Sequence, residues 1–232
     1  MRLALLLILL ALALPAVLLG APGDREPAPP PPAPTTIPAL PPAATAAPTP
    51  PVATPEPPAE PSRAIGLPWH GRLAHGRQLP AAGQGYTTWD PILKRVGNRG
   101  WRRWGTGRLL ATVTRVLAAY ASRHPEAPPV LVGDLSRPHG GDFGPRFGGI
   151  GHASHQNGLD ADVYYPRDDG VLRRAPRPGQ VDRAAAQELV DAFVREDAEY
   201  VFVGPSLDLR GPHEVVQPLV NHDDHLHVRL RG

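Results

Sequence analysis

The sequence predicts an α+β domain in which helices flank a largely antiparallel sheet. Three observations point there. Two stretches repeat apolar residues at helical spacing, four others read as strands, and the connections between them are too irregular for repeated strand–helix–strand crossovers.

The elements follow in order. From Thr106, a suitable N-cap, Leu109, Leu110, Val113, Val116, Leu117 and Tyr120 recur with a helical period, and the pattern stops at His124-Pro125, which gives a helix of about 17 residues. "PPVLVGDLS" reads as a strand, and the glycine-rich residues 137–151 as an exposed loop. "LDADVYY" is a second strand. Asp182 caps a second helix with Leu189, Val190, Phe193 and Val194 on one face, and the strands "EYVFVG" and "DHLHVRL" follow it.

Ahead of this domain the composition changes twice. Arg2 precedes an apolar run from Leu3 to Gly20, so residues 1–21 read as a secretory signal or as an amino-terminal membrane anchor held through residues 3–20. The chain is therefore expected to be exported, to the periplasm or cell envelope. Residues 22–61 hold 17 of the chain's 32 prolines among Ala and Thr, with too few large apolar side chains to offset the entropy of ordering. Residues 22–65 are accordingly expected to be a disordered linker, which in polyproline II form would reach on the order of 120 Å. Residues 66–232 make one domain of ordinary size.

Composition also excludes classes of function. The chain has no cysteine, so disulfides, thiol catalysis, thiolate metal ligation and a lipoprotein anchor are all ruled out. Any metal must sit on histidine and carboxylate. Basic residues number 24 in all, 23 arginines and Lys94; subtracting the three before residue 66 leaves 21, against 22 − 4 = 18 acidic residues, a surplus too small to argue for nucleic acid. The cluster "GNRGWRRWGTGR" sets Trp101 and Trp104 among arginines, and the two indoles are expected to dock the following helix on the core.

The chemistry concentrates in two motifs. In "HLHVRL" strand alternation puts His225, His227 and Arg229 on one face, with the two imidazoles roughly 7 Å apart, and in "LDADVYY" it puts Asp160, Asp162 and Tyr164 on one face. Both faces are polar with apolar backs, which suggests a site on the sheet surface. A catalytic zinc takes three nitrogen or oxygen ligands and leaves a position open; one His and one Asp from "GHASHQNGLDADVYY" with one His from the C-terminal motif make such a set. Competing motifs fail. "HEVVQ" places Gln217 where a zincin helix needs its second histidine, "GGIGHAS" lacks the lysine of a phosphate loop, and Ser154 is not framed as a nucleophile elbow.

The strings "SRPHGGDFG", "GHASHQNGLDADV" and "HLHVRL" resemble the penicillin-insensitive murein endopeptidase family, within the wider group of lysostaphin-type, D-Ala-D-Ala peptidase and hedgehog-like zinc domains. The likeness runs from about Trp104 to the end of the chain. It implies that His155, Asp162 and His227 ligate Zn2+ and that His225 is the catalytic base. It implies for His152 and His222 a contact to a second metal or to substrate, and Asp160 reads as the group that orients a ligand. The implied substrate is the stem peptide of peptidoglycan, cut at cross-links such as D-alanyl-diaminopimelyl bonds. A D,D- or L,D-carboxypeptidase on the same scaffold, or a zinc-containing wall-binding module without turnover, are the alternatives.

Overall fold

The computed structural model describes residues 60–144 and 152–232. The expected signal or anchor at 1–21, and the expected linker as far as residue 59, lie outside the described residues. The first strand, β1 (Arg63–Leu67), opens within the stretch that composition assigns to the linker, and it forms an antiparallel hairpin with β2 (His70–Ala74). Among the described residues no helix is long and apolar enough to cross a membrane.

Short strands follow: β3 (Arg77–Gln78), β4 (Ala82–Gly83), β5 (Tyr86–Asp90), β6 (Arg95–Val96) and β7 (Trp104–Gly105). The helix α1 (Gly107–Arg123) begins where Thr106 Oγ1 accepts the Leu109 N–H at 3.1 Å, and it buries Leu109, Val113, Val116, Leu117 and Tyr120. Then come β8 (Val130–Val132) and β9 (Asp160–Tyr164). The helix α2 (Arg183–Arg195) is capped by Asp182, which accepts from Ala185 N at 3.0 Å, and it buries Leu189, Val190 and Phe193. The chain closes with β10 (Ala198–Val203), β11 (Val216–Pro218) and β12 (His225–Leu230).

The main sheet has the order β11-β10-β12-β9-β8-β5-β4, with β6 beside β5. Its pairings are antiparallel except β10 with β11 and β5 with β8, so the sheet is mixed and mostly antiparallel. Buried side chains of α1 and α2 pack in one core with Leu159, Ala161, Val163, Leu226, Val228 and Leu230. Each buried Leu or Val there contributes roughly 1.5–3 kcal/mol. The helices thus cover the apolar face of the β9–β12 pair and leave the polar face to the site.

Three features depart from the sequence reading. The strand expected over "PPVLVGDLS" stops at Val132, because the chain then changes partners: Gly133 N–H still binds Asp162 O, while Leu135 and Ser136 N–H bind Arg102 O and Trp104 O. Of the expected exposed loop, residues 137–144 are described and hold no helix or strand, yet Phe143 is buried there against Trp101, at 6.0 Å between ring centroids, and against His152, at 5.2 Å. Trp101 faces Phe143, a contact the sequence did not suggest, and carries the guanidinium groups of Arg99 and Arg102 over its ring at 5.1 and 4.9 Å.

Candidate functional site

The register of β9 against β12 builds the site. His225 lies opposite Tyr164, His227 opposite Asp162 and Arg229 opposite Asp160, so the six side chains share one face as alternation requires. On the far side of β12, His227 is opposite Phe202 of β10. His155 is brought in from the turn before β9, where it holds φ at +67°, a conformation that costs a non-glycine residue roughly 1 kcal/mol or more. Two bonds hold it there. Its backbone N–H donates to Asp160 Oδ2 at 2.9 Å, and its Nδ1–H donates to Leu135 O at 2.9 Å.

These bonds fix which ring nitrogens carry lone pairs. Because His155 Nδ1 faces a carbonyl and must carry the proton, Nε2 of the neutral ring is an acceptor. Burial disfavours the charged ring and holds the His155 pKa below its ordinary value. His227 Nε2 donates to Asp160 Oδ1 at 3.0 Å, which leaves Nδ1 of its neutral ring as the acceptor. Both acceptors aim at one atom. Asp162 Oδ1 lies 3.2 Å from His155 Nε2 and 3.3 Å from His227 Nδ1.

Three lone pairs converging in a buried place repel one another unless a cation lies between them. Among the described residues neither His155 Nε2 nor Asp162 Oδ1 has a hydrogen-bond partner, although both are buried. Ligands about 2.0–2.1 Å from a tetrahedral ion stand about 3.3 Å apart, which matches both separations. The electrostatics agree. Burial opposes ionisation of Asp162, but His155 and His225 outweigh it and hold its carboxyl well below the usual range. Burial likewise opposes the charged form of His227, yet Asp160 and Asp162 lift its pKa to about 9: without an ion a proton occupies Nδ1, the place that a metal cation would take.

His152, His155 and Asp162 form a second triple, with ligand atoms all within 4.8 Å of one another. The two triples share His155 and Asp162 and differ in their third member. His227 Nδ1 stands 3.3 Å from Asp162 Oδ1, whereas His152 Nδ1 stands 3.9 Å from the other oxygen, Oδ2, and His152 Nε2 binds Asp134 Oδ2 at 2.7 Å. His225 is placed differently again. Its Nδ1–H donates to Asp224 Oδ1 at 2.7 Å and its Nε2 faces Asp162 Oδ1 at 3.7 Å, beyond the ligand spacing. Burial lowers the tendency of His225 to protonate, but Asp162 and Asp224 more than offset it and raise its pKa. His222 is half-buried on the same side, donates Nδ1–H to Val220 O at 2.8 Å, and lies 4.9 Å from His225 and 6.0 Å from His227 between ring centroids. Ser154 lines the cleft, and among the described residues its hydroxyl has no hydrogen bond to either neighbouring histidine.

Asp160 ties the arrangement together. Its carboxylate receives the His155 backbone N–H, the His227 ring N–H and Arg229 Nε, the last at 2.7 Å. Burial opposes its charge, but His227, His155 and Arg229 hold its carboxyl far below the ordinary range.

Several supporting residues were not singled out from the sequence. Asp134 is buried and receives Arg102 Nε at 2.6 Å on Oδ1, a second Arg102 contact on Oδ2, and Asn98 Nδ2 at 2.9 Å. It passes this restraint to His152 through Oδ2. Arg102 is fully buried, so Arg102→Ala leaves the buried Asp134 carboxylate without its arginine counter-charge and is expected to lower stability by roughly 3–5 kcal/mol in urea unfolding. Asp224 plays the matching part for His225, and Arg174 Nη1 holds its other oxygen at 2.7 Å. No local pattern marks these pairs, whose members lie 32 and 50 residues apart.

The histidines open onto a cleft of ≈780 Å³. Beyond the polar groups described, Trp69, Phe202, Leu219 and Val220 give it an apolar side.

A family described as penicillin-insensitive murein endopeptidase matches residues 64–202. The match covers the part of the site that holds His152, His155, Asp160 and Asp162 and ends before His222, His225 and His227. Proteins of that name from Yersinia pestis (30% identical over 129 residues), Pectobacterium atrosepticum (31% over 128) and Salmonella heidelberg (32% over 128) each align with 44% of this chain. The alignments cover 45%, 44% and 45% of those relatives, so the chain spans less than half the length of the curated proteins it matches.

Proposed function

Because the chain belongs to the penicillin-insensitive murein endopeptidase family, we propose that it is a zinc-dependent endopeptidase that hydrolyses peptide cross-links of murein, such as D-alanyl-diaminopimelyl bonds. The observation that carries the metal assignment is the convergence of two imidazole nitrogens on one buried carboxylate oxygen at distances that suit a tetrahedral ion. His155 through Nε2, Asp162 through Oδ1 and His227 through Nδ1 would hold the ion. When bound, zinc supplies Lewis-acid polarisation of the scissile carbonyl and acidifies water.

The chain's own residues do the rest. His225, its Nδ1–H fixed by Asp224, presents the Nε2 lone pair to the centre, takes the proton of the attacking water and returns it to the amine nitrogen as the C–N bond breaks. Asp224 and Arg174 fix the ring, and so the direction of that transfer. Asp160 keeps the Nδ1 lone pair of His227 aimed at the centre by accepting its Nε2–H. His152, held by Asp134, stands beside the other oxygen of Asp162 and is read as a contact to substrate or to a second metal. His222 borders the cleft for the same kind of contact.

Residues 1–21 as signal or anchor, 22–65 as linker and 66–232 as peptidase fit an exported enzyme that reaches the wall. Among the described residues the serine that lines the cleft, Ser154, has no base bonded to its hydroxyl, so β-lactams are not expected to acylate it. The test is digestion of purified muropeptides by the full chain. Cross-linked dimers are expected to fall to monomers, activity to vanish with chelator, and zinc to restore it. Release of single terminal residues with dimers left intact would mark a carboxypeptidase, and zinc retention with no products a binding module.

A further inference from the structure

The cleft is lined by three cations whose circumstances differ. Arg229 is bonded to Asp160 at 2.7 Å, and Arg174 to Asp224 at 2.7 Å. Lys94, the chain's single lysine, lines the same cleft and has no carboxylate partner among the described residues. Its charge is left for something that enters the cleft.

Its placement is fixed by the fold. Lys94 sits at φ +52° in the turn after β5, and Asp90 pins that turn by accepting the N–H groups of Ile92 and Leu93, each at 2.9 Å. Asp90 is itself buried and bonded to Arg99 at 2.6 Å. The lysine therefore projects from a restrained base, which lowers the entropy lost when it takes a ligand.

The two flanks of the site have opposite character. On the β10–β11 side, Phe202, in register with His227, and Leu219 and Val220 just after β11 offer apolar surface. On the other side, beyond β8, the strand β5 leads into Lys94. Strands lie about 4.8 Å apart, so β5, two strands from β9 and Asp162, runs about 10 Å away, the span of about three extended residues, and the turn that carries Lys94 continues from its end.

We propose that Lys94 recognises a free carboxylate of the peptide substrate, within about three residues of the scissile bond, while the apolar flank receives the other side of the cut. This rests on the murein reading of the cleft and adds to it the feature of the substrate that sets its direction. Stem peptides carry such carboxylates. A lysine point charge on a flexible stem suits one, and the ion pair gains strength as the substrate displaces water from the cleft.

The experiment compares two substrates, a cross-linked muropeptide dimer and the same dimer with its free carboxyl groups converted to amides. The zinc-loaded full chain is expected to favour the acid form by roughly five- to ten-fold in KM. Lys94→Ala should raise KM for the acid form by that factor, leave kcat within about two-fold, and treat both substrates alike. Lys94→Arg should restore most of the preference. Parental turnover with equal KM for the two forms, or an unchanged preference in Lys94→Ala, overturns the assignment of Lys94 and leaves the murein reading standing. No parental turnover of either dimer overturns the murein reading, and the Lys94 assignment with it.

Discussion

Asp162→Ala is expected to leave the purified protein with almost no zinc and to reduce muropeptide turnover roughly 1,000-fold or more. Asp162 Oδ1 is the atom on which His155 Nε2 and His227 Nδ1 both converge, at 3.2 and 3.3 Å, so its removal takes away one of the three proposed ligands and the anionic one among them. What remains is a pair of imidazoles beside Asp160, whose charge is already spent on His227, Arg229 and a backbone N–H. The loss in rate corresponds to the several kcal/mol of transition-state stabilisation that a catalytic metal supplies. Asp162→Asn tests the same point with the shape preserved. The carboxamide still offers an oxygen but no charge, so its zinc content should lie between parent and Asp162→Ala. Metal analysis and turnover are measured on the same samples, with circular dichroism to establish that the fold persists. Full zinc content and full activity in Asp162→Ala would sink the ligand assignment.

The parts of this site that the sequence made legible are those governed by local periodicity. Thr106 and Asp182 were readable as caps because a capping side chain bonds an N–H three residues on, a relation confined to one turn of chain. The common face of Asp160, Asp162 and Tyr164, and that of His225, His227 and Arg229, follow from the two-residue period of a strand; the register between β9 and β12 then brings the two faces together. Where period is absent the reading failed. The strands β3, β4, β6 and β7 have two residues each, too few to show alternation, and β5 is buried at all five positions, so no alternation marks it either.

Long-range polar pairing was equally hidden. Arg102 appeared as one arginine in a tryptophan-rich cluster, and nothing local announces that it would be buried against Asp134 to restrain His152. Asp224 stood in plain view within "HDDH", yet which histidine it serves depends on side-chain direction at the mouth of β12. The backbone conformation of His155 was hidden too. A histidine at φ +67° has no composition signal, and only the two hydrogen bonds that hold it explain how its Nε2 reaches Asp162.

The second large effect separates the two histidines of "HLH". His225→Ala is expected to lower turnover roughly 100-fold to 10,000-fold, the contribution of a positioned proton carrier, while zinc stays bound. His227→Ala should lose zinc and rate together. The difference rests on which nitrogen each ring offers and where. His227 donates Nε2–H to buried Asp160 and turns its Nδ1 toward Asp162 at the ligand spacing; His225 donates Nδ1–H to Asp224 and holds Nε2 farther out, at 3.7 Å. Asp224 is in turn shared with Arg174, so the His225 ring is held from outside the metal centre and its removal leaves the three ligands in place. Asp224, which accepts Nδ1–H of His225, suits that ring to take a proton from water and give it to an amine, because it stabilises the imidazolium that forms in between. Metal content, turnover and circular dichroism on both variants decide the matter. If His225→Ala comes out empty of zinc, or turns over at the parental rate, the division between ligand and base is wrong, and the base must be sought at His222 or His152, the other two histidines that line the cleft.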